Sequence, residues 1–305
     1  METHYLGIDI GGTRIKLVVL NGAGDLLEQN DYPTHDSEFS GLAWKEKIIE
    51  TIAQKTQEFA GGNLTKLRCG ISAPGLADSS NSKILHMPER LQGIEGLDWS
   101  KELNRDIVVL NDGHSACLAE YESFYKSRGV QNMLVLTLGT GVGGGVIING
   151  KLYQGAMQRA GHFGHTVVDH SGVKTMTNMV GSLEYAVGNF SIAERTNGKY
   201  QSVKELVKAH VEGHVLASFW WLSSIQKLAT GLASLINSFS PELIVLGGGI
   251  SSGAGNLLFK PLQEFMGLYE WSPDGKSIPI VEANYGGYAG AIGAALFVKS
   301  HKTTI

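Results

Sequence analysis

The sequence predicts an α/β protein of two similar lobes, each of which starts its own β-sheet with a glycine-rich hairpin. The first hairpin is LGIDIGGTRIKLVVLNGAGDLL at residues 6–27, and a second copy, VLTLGTGVGGGVIINGK, occupies residues 135–151. In each copy an apolar strand leads through a glycine turn into a second apolar strand and then a polar turn. A chain of 305 residues with 43% hydrophobic content is long enough for two lobes. We expect the two glycine turns to face each other across a cleft.

Three segments between the hairpins carry helix or strand signals. Residues 41–60 have helical spacing and end at two glycines, which is a typical helix stop. The segment LRCGISAPG at 67–75 predicts a strand that runs into a Pro-Gly turn. Residues 106–124 predict a buried strand that ends at Asn111 and Asp112 and passes into a helix. Polar residues at the carboxyl end of such a strand are where open α/β sheets usually hold ligands.

Two further segments organise the second half of the chain. Residues 220–251 predict a long helix, a Ser-Pro break, a buried strand and a glycine turn. Residues 285–298, YGGYAGAIGAALFV, predict a helix of small residues. Because that helix is too short to span a bilayer, we expect it to pack closely against neighbouring elements.

Charge and cysteine content exclude several classes of protein. The net charge is −4 and no dense block of Lys and Arg occurs, which argues against a nucleic-acid surface. The two cysteines, Cys69 and Cys117, lie far apart and provide neither a disulfide framework nor a cysteine-rich zinc site. No charged-then-apolar leader precedes Leu6, and no uncharged apolar run reaches the roughly 20 residues that span a bilayer. We therefore expect a soluble cytoplasmic protein with no membrane partner.

The glycine turns themselves suggest a ligand. A glycine turn between two strands leaves backbone N–H groups in a concave nest without side chains, which suits phosphate oxygens. The alternative is that the hairpin only packs tightly and binds no ligand. Two matched turns support this alternative less than a single turn would. Neither turn is a Walker P-loop, because no GxxxxGK[ST] occurs, and neither is a Rossmann fingerprint, because each leads into a strand.

Six motifs follow one another in the order found in one known family. They are DIGGTRIK (9–16), SAPG (72–75), LNDGHSACLAE (110–120), LGTGVGGG (138–145), GHFGHTVVD (161–169) and IVLGGGIS (244–251). Together they resemble the ROK family of sugar kinases, within the actin/hexokinase/Hsp70-like ATPase fold. The resemblance implies a two-lobed actin-like (ribonuclease H-like) α/β fold, in which each lobe is a mixed sheet flanked by helices and the active site lies in the interlobe cleft. The small lobe would be residues 1–112, completed by a C-terminal helix at 287–303, and the large lobe residues 113–286.

The same resemblance implies ATP and Mg²⁺ as cofactors, a sugar as the second substrate, and a homodimer. The implied nucleotide-binding residues form a first phosphate loop, a second phosphate loop and an adenosine-side turn: Asp9, Gly11, Gly12, Thr13, Lys16; Gly139, Thr140, Gly141; Gly247, Gly248, Gly249. The implied sugar-binding residues are Gly75, Asn111, Asp112, His162, His165 and Glu184. Asp9 would lie near Mg²⁺ and the transferred phosphate, although a carboxylate at this position can also serve only to cap the turn.

Asp112 is the candidate catalytic residue. Transfer of a phosphoryl group to a sugar hydroxyl needs a carboxylate that orients the hydroxyl and accepts its proton. Asp112 matches the family's catalytic aspartate. From local sequence alone the simpler interpretation is a helix N-cap, which is a common use of Asp.

The sequence departs from the family at its usual zinc cluster. Family members commonly carry GExGH followed by CxCGxxGC, in which the histidine and three cysteines bind a structural zinc. Here residues 161–188 contain no cysteine. His165 remains and His170 adds a second imidazole, but two imidazoles lack the thiolates of a closed tetrahedral site. We therefore predict no structural zinc, and packing would have to replace the metal.

A second departure concerns the sugar site. His162 stands where the family usually has a sugar-contacting Glu, so an acceptor-only carboxylate is replaced by a ring with one donor and one acceptor. Glu184 in GSLEY matches the family's other sugar-binding Glu, although it could be a solvated helix residue. Where the family often has an Asn-Leu-Pro contact, this chain reads HMPERL, so His86 or Arg90 takes that role or lies on an exposed loop.

The function expected from these motifs is ATP-dependent phosphorylation of a hexose or N-acetylhexosamine. One alternative is a non-catalytic sugar sensor, which the replacement at His162 favours and the retained Asp112 opposes. Another is a kinase of a different small polyol. A ROK-type repressor would carry a DNA-binding helix-turn-helix ahead of the first phosphate loop, where this sequence has only five residues before Leu6.

Overall fold

Both predicted glycine hairpins are pairs of antiparallel strands in the computed structural model, which describes residues 2–34, 42–87, 91–175 and 178–301. The strands in chain order are β1 (His4–Ile10), β2 (Arg14–Leu20), β3 (Leu26–Pro33), β4 (Leu67–Ala73), β5 (Leu76–Ala77), β6 (Ile84–His86), β7 (Ile107–Asn111), β8 (Met133–Leu138), β9 (Val142–Ile148), β10 (Lys151–Leu152), β11 (Leu243–Gly247) and β12 (Ile280–Glu282). The α-helices are α1 (Ala43–Ala60), α2 (Trp99–Leu103), α3 (Asp112–Glu120), α4 (Leu183–Val187), α5 (Ile192–Arg195), α6 (Val203–Val211), α7 (Val215–Phe239), α8 (Gly249–Ala254), α9 (Asn256–Tyr269) and α10 (Ala289–Ser300).

The two large sheets share one plan. The first has the strand order β3-β2-β1-β4-β7, and the second has the order β10-β9-β8-β11-β12. In each sheet the hairpin supplies an antiparallel pair, and parallel strands are added on one side: β4 and β7 after β1, and β11 and β12 after β8. The short strands β5 and β6 form a separate antiparallel pair. The repeat predicted from the two hairpins is therefore confirmed as a repeat of whole sheets.

The chain divides into two compact units. The first unit comprises Met1–Gly129, Leu152–Ala160 and Gly287–Ile305, and the second comprises Val130–Lys151 and Gly161–Gly286. The first unit therefore includes residues 113–129 and 152–160, which the family resemblance assigned to the large lobe. The physical reason is that α3 packs against the C-terminal helix α10, which belongs to the same unit.

Local sequence explains the helices well at some positions and less well at others. Helix α1 buries Ile48, Ile52 and Thr56 on one face and ends where Gly61 adopts a left-handed φ of 56°, as predicted from the two glycines. Helix α7 begins at Val215, earlier than the predicted residue 220. The predicted glycine turn after β11 is present at Gly248, which has a φ of 88°, and it leads into the helical segment Gly249–Ala254, which the sequence did not predict.

Helix α10 packs on the first sheet with backbone-to-backbone contact. A Cβ atom placed on Gly7 would lie 1.9 Å from the carbonyl oxygen of Ala291, and one on Gly70 would lie 2.3 Å from that of Ala294. Gly7 on β1 and Gly70 on β4 are register partners, so together they leave a strip of the sheet without side chains, on which the helix backbone packs. The predicted close packing of this small-residue helix is confirmed. In the described part of the chain no helix is long and apolar enough to cross a bilayer.

We expect Gly293→Ala to destabilise the first unit. A Cβ atom at Gly293 would lie 1.8 Å from the carbonyl oxygen of Ser115 in α3, so α10 and α3 would have to separate. Overpacking of this kind costs about 1–3 kcal/mol, and we expect the thermal midpoint to fall by several degrees. The matched control is Gly267→Ala in α9, where no heavy atom lies within 4 Å of the added Cβ and Ala favours the helix. Equal midpoints for the two variants would contradict this account of the packing.

Candidate active site

Asp9 lies on β1 between the neighbouring strand β4 and the C-terminal helix. Its register partner on β4 is Ser72, whose hydroxyl donates to Asp9 Oδ1 at 2.7 Å. On the other side, a Cβ atom at Gly290 would lie 2.4 Å from the same oxygen. Burial raises the pKa of Asp9, and the Ser72 hydrogen bond and the charge of Lys16 partly oppose this rise. The sequence motif identified Asp9, but neither Ser72 nor Gly290 could be assigned to it without the sheet register and the helix packing.

Asn111, and not Asp112, is the N-cap of α3. The Asn111 side-chain oxygen accepts from the backbone N–H groups of Gly113 and His114, at 2.9 and 3.2 Å. Its amide donates to the Gly75 carbonyl oxygen at 2.9 Å and to Asp112 Oδ1 at 3.0 Å. The capping role that local sequence favoured for Asp112 is thus filled by its neighbour. Asp112 is the first residue of the helix, and its side chain remains exposed.

Two effects raise the pKa of Asp112 to about 6. The larger is desolvation by the surrounding protein, which disfavours the charged form, although the side chain can still be reached from solvent. The second is the negative charge of Asp9. Hydrogen bonds from the Gly113 backbone and the Asn111 amide oppose both effects. A reachable carboxylate whose pKa is moved toward neutrality has the properties of a general base.

The predicted first phosphate loop follows β1 and is held by residues outside it. Within the turn, Gly11 N–H donates to the Arg14 carbonyl oxygen at 3.0 Å. Thr34, after β3, donates its hydroxyl to the Gly11 carbonyl oxygen at 2.6 Å and its backbone N–H to the Thr13 carbonyl oxygen at 3.0 Å. Lys16 donates its ammonium to the Gly287 carbonyl oxygen at 2.6 Å. The loop is therefore rigidly supported, while Gly12 and Thr13 keep surface accessible to a ligand.

The second phosphate loop joins β8 to β9 in the second unit. Gly139 N–H donates to the Gly141 carbonyl oxygen at 3.0 Å, which closes the turn. From behind, Asn189 N–H donates to the Gly139 carbonyl oxygen and Phe190 N–H to the Thr140 carbonyl oxygen, each at 3.0 Å. These bonds occupy the carbonyl oxygens of Gly139 and Thr140. The turn is open at Gly139, where no heavy atom lies within 4 Å of an added Cβ.

The predicted adenosine-side turn lies next to the second phosphate loop. Gly247 ends β11 and Gly249 begins α8. Between them, Gly248 has a φ of 88°, and a Cβ atom on it would lie 2.4 Å from the Leu138 carbonyl oxygen. Glycine is required here both by the backbone conformation and by the approach to β8. Gly249 has open space around its Cα.

Three of the predicted sugar-binding residues lie together in the second unit. The rings of His162 and His165 stack with an interplanar angle of 10° and a centroid distance of 6.2 Å. His165 Nδ1 lies 3.6 Å from Glu184 Oε1. Glu184 is on α4, which Ser182 caps by accepting from the Tyr185 N–H at 3.3 Å. Burial raises the pKa of Glu184, and the nearby His165 opposes the rise.

This histidine and carboxylate group adjoins the second phosphate loop. Glu184 Oε2 lies 3.0 Å from the position that a Cβ on Gly141 would occupy. The other three predicted sugar-binding residues, Gly75, Asn111 and Asp112, form a second group in the first unit, where the Asn111 amide joins them. The structure thus assembles the predicted site residues into two sets, one in each unit.

The segment that lacks the zinc cysteines is closed by backbone contacts and one ion pair. The N–H groups of Val168 and Asp169 both donate to the Gly181 carbonyl oxygen, at 2.9 and 3.2 Å. Gly181 has a φ of 61°, and a Cβ on it would lie 1.6 Å from the Asp169 carbonyl oxygen. The Asp169 carboxylate accepts from the Lys227 ammonium at 2.9 Å. Over residues 2–34, 42–87, 91–175 and 178–301, no group of three His, Cys, Asp or Glu residues could hold a metal ion. Purification without zinc stays a prediction.

The loop expected to replace the family's Asn-Leu-Pro contact is described only in part. His86 is exposed, and its Nδ1 lies 3.4 Å from Glu95 Oε1. Its backbone is close to the predicted site, because a Cβ on Gly75 would lie 2.5 Å from the His86 carbonyl oxygen. Arg90 lies outside the described residues. A direct sugar contact from either side chain stays a prediction.

Comparison with known proteins agrees with this geometry. A glucokinase of Halalkalibacterium halodurans is 28% identical over 100% of this chain and 97% of its own length. An N-acetylmannosamine kinase of Yersinia pestis is 28% identical over 97% of this chain and 98% of its own. Among solved structures, a ROK family glucokinase from Streptomyces griseus in complex with glucose and AMPPNP matches with a TM-score of 0.77 and 25% identity, over 99% of this chain and 100% of its own.

These matches confirm the predicted actin-like ATPase fold. Each unit is built on a mixed five-stranded sheet, and the structural similarity covers 99% of the chain. The model described as "ROK family" matches residues 5–301. The chain therefore belongs to the ROK family.

Proposed function

We propose that this ATP-dependent sugar kinase phosphorylates a hexose or N-acetylhexosamine, with glucose and N-acetylmannosamine as the first sugars to test. Relatives of equal identity carry the names of kinases for both sugars, so similarity does not choose between them. The observation that carries the proposal is the state of Asp112. It is released from helix capping by Asn111, stays reachable, and has a pKa of about 6.

In the proposed reaction Asp112 accepts the proton of the sugar hydroxyl. The hydroxyl oxygen forms a bond to the γ-phosphorus of ATP while the bond from that phosphorus to the bridging oxygen breaks, which releases ADP. Asn111 is a positioning residue in this scheme. Its two side-chain donors and its oxygen are already used by protein groups, so it holds Asp112 and the Gly75 backbone in place.

The glycine turns would receive the phosphates of ATP. Backbone N–H groups at Gly11–Thr13 and at Gly139–Gly141 suit phosphate oxygens, and Lys16 adds a positive charge near Asp9. The Asp9 carboxylate, beside the Ser72 hydroxyl, offers the oxygen ligands that Mg²⁺ prefers. Bound Mg²⁺ would neutralise charge on the phosphates. The raised pKa of Asp9 fits such a role, because a nearby cation would compensate its buried negative charge.

His162, His165 and Glu184 would contact sugar hydroxyls. Glu184 supplies acceptor oxygens and the two imidazoles supply both donors and acceptors. A hydroxyl-rich ligand needs such a mixture. The homodimer implied by the family resemblance and the cytoplasmic location expected from the sequence stay predictions.

The first test measures ADP release with hexoses, N-acetylhexosamines and polyols, using Asp112→Asn as the matched variant. We expect turnover with at least one sugar, and a fall of about 10² or more in kcat for Asp112→Asn, because Asn cannot accept the proton. At pH 8 this variant should melt at or above the wild-type temperature. The charged Asp112 is disfavoured in the folded state above its raised pKa, so its removal does not weaken folding there. A polyol as best substrate would favour the alternative small-alcohol kinase, and no turnover with any compound would favour a sugar sensor.

The rate should depend on pH through Asp112. The carboxylate must be unprotonated to accept a proton, and kcat/KM reports the groups of the free enzyme, so kcat/KM should be constant above about pH 6 and should fall below it by about tenfold per pH unit. The phosphates of ATP also titrate in this pH region, so either Asp112 or the nucleotide would produce a fall in rate. The variant Asp9→Asn distinguishes these two causes. Because Asp9 raises the pKa of Asp112, the midpoint in Asp9→Asn should move to lower pH even if the absolute rate is low. An unmoved midpoint would assign the pH dependence to the nucleotide.

His162→Glu should change the sugar preference. It restores a carboxylate where family members usually have one, next to the stacked His165. We expect kcat/KM to shift between glucose and N-acetylhexosamines while the KM for ATP changes by less than about twofold, because the phosphate loops are untouched. The control is His170→Glu, which introduces the same charge at an exposed residue beyond the site. If both variants have the wild-type sugar profile, His162 is a structural residue.

A further inference from the structure

Arg195, the last residue of α5, is a mostly enclosed cation with only neutral partners. Its Nε donates to Ser191 Oγ at 3.0 Å, one terminal nitrogen donates to Ser224 Oγ at 2.7 Å, and the other donates to the Gly188 carbonyl oxygen at 3.2 Å. Over the residues that the structure describes, it forms no ion pair with a carboxylate. An enclosed charge without a counter-charge is unfavourable unless a ligand supplies one.

The guanidinium stays charged at neutral pH despite its surroundings. Burial lowers the pKa of Arg195 to about 10, and the nearby Tyr185 hydroxyl opposes the shift. The adjacent carboxylate, Glu194, is exposed, and its negative charge adds to the effect of burial in raising the pKa of the Tyr185 hydroxyl. The positive charge is therefore not neutralised by a direct bond to its neighbour in the chain.

Arg195 is connected to the second phosphate loop through Gly188. Its partner Gly188 is packed against the loop, since a Cβ on Gly188 would lie 2.7 Å from the Thr140 carbonyl oxygen. The next two residues donate their N–H groups to the Gly139 and Thr140 carbonyl oxygens. A second partner, Ser191, donates its hydroxyl to the Tyr185 carbonyl oxygen at 2.6 Å and lies 3.1 Å from the Gly188 carbonyl oxygen. Arg195 thus holds residues 188–190, and these residues contact the turn at Gly139–Gly141.

We propose that Arg195 is a positioning residue for nucleotide binding, which holds residues 188–190 against the turn at Gly139–Gly141 and adds a positive charge behind the phosphates. This inference rests on the proposed function, in which that turn binds the phosphates of ATP. Arg195 would not touch the nucleotide. Its charge would favour a polyphosphate over an uncharged nucleoside, because Coulomb attraction acts across a protein layer of low dielectric.

The test compares the Kd of ATP with the Kd of adenosine by calorimetric titration in four proteins: wild type, Arg195→Gln, Arg195→Lys and Arg105→Gln. Arg105 is the matched control, because it too donates only to neutral oxygens, of Thr56, Leu64 and Leu67, and lies in the first unit. We expect Arg195→Gln to weaken ATP binding about tenfold with adenosine binding changed less than twofold. Arg195→Lys should recover most of the ATP affinity but show a lower kcat, because lysine keeps the charge and loses the three-way hydrogen bonding.

Each result decides between the inference and its alternatives. Equal weakening of ATP and adenosine binding in Arg195→Gln would make Arg195 a merely structural residue, and unchanged Kd values would remove it from nucleotide binding. If Arg195→Gln does not fold, Arg195→Lys still decides, because loss of the ATP preference in that variant would contradict a role for the charge. Failure of the wild type to bind ATP would overturn the proposed function instead.

Discussion

The close approach of α10 to the first sheet is the constraint on which much of the candidate site depends. Gly7 and Gly70 leave room for the helix backbone directly on β1 and β4, and Gly293 leaves room for α3 on another side of the helix. The first turn of the same helix brings Gly290 against the Asp9 carboxylate. Because α3 begins with Asp112, a single glycine-lined helix adjoins the elements that carry both acidic residues.

The two acidic residues are held in an arrangement that is unfavourable for the protein alone. The negative charge of Asp9 and the removal of water raise the pKa of Asp112, and burial raises that of Asp9. In the second unit, the Arg195 cation has only neutral hydrogen-bond partners among the described residues. Unfavourable charges of this kind concentrate at functional sites, where a ligand supplies the missing interactions. In the proposed function, Mg²⁺ would supply positive charge for the two carboxylates.

Backbone geometry closes the segment that follows His165. The contact between Gly181 and Asp169 is too close for any side chain at Gly181, and Lys227 fixes the Asp169 carboxylate. These interactions lie between the stacked histidines at 162 and 165 and helix α4, which carries Glu184. This segment therefore connects the two histidines to the helix that carries Glu184.

The sequence by itself determined the features whose signal is local. Glycine turns between apolar runs predicted both hairpins, paired glycines predicted the end of α1, and small residues predicted the close packing of α10. Six ordered motifs predicted the family. Each of these signals lies within a few neighbouring residues, so it can be detected without knowing how the chain folds.

Only the tertiary structure decided which polar groups meet. Asn111 and Asp112 are both good helix caps, and the choice depended on the Gly75 carbonyl oxygen that the Asn111 amide also reaches. Ser72 was matched to Asp9 by the register of two parallel strands, and Arg195 was matched to the second phosphate loop through Gly188. These partners are separated in sequence, so their contacts depend on strand register and helix packing, which no local pattern encodes.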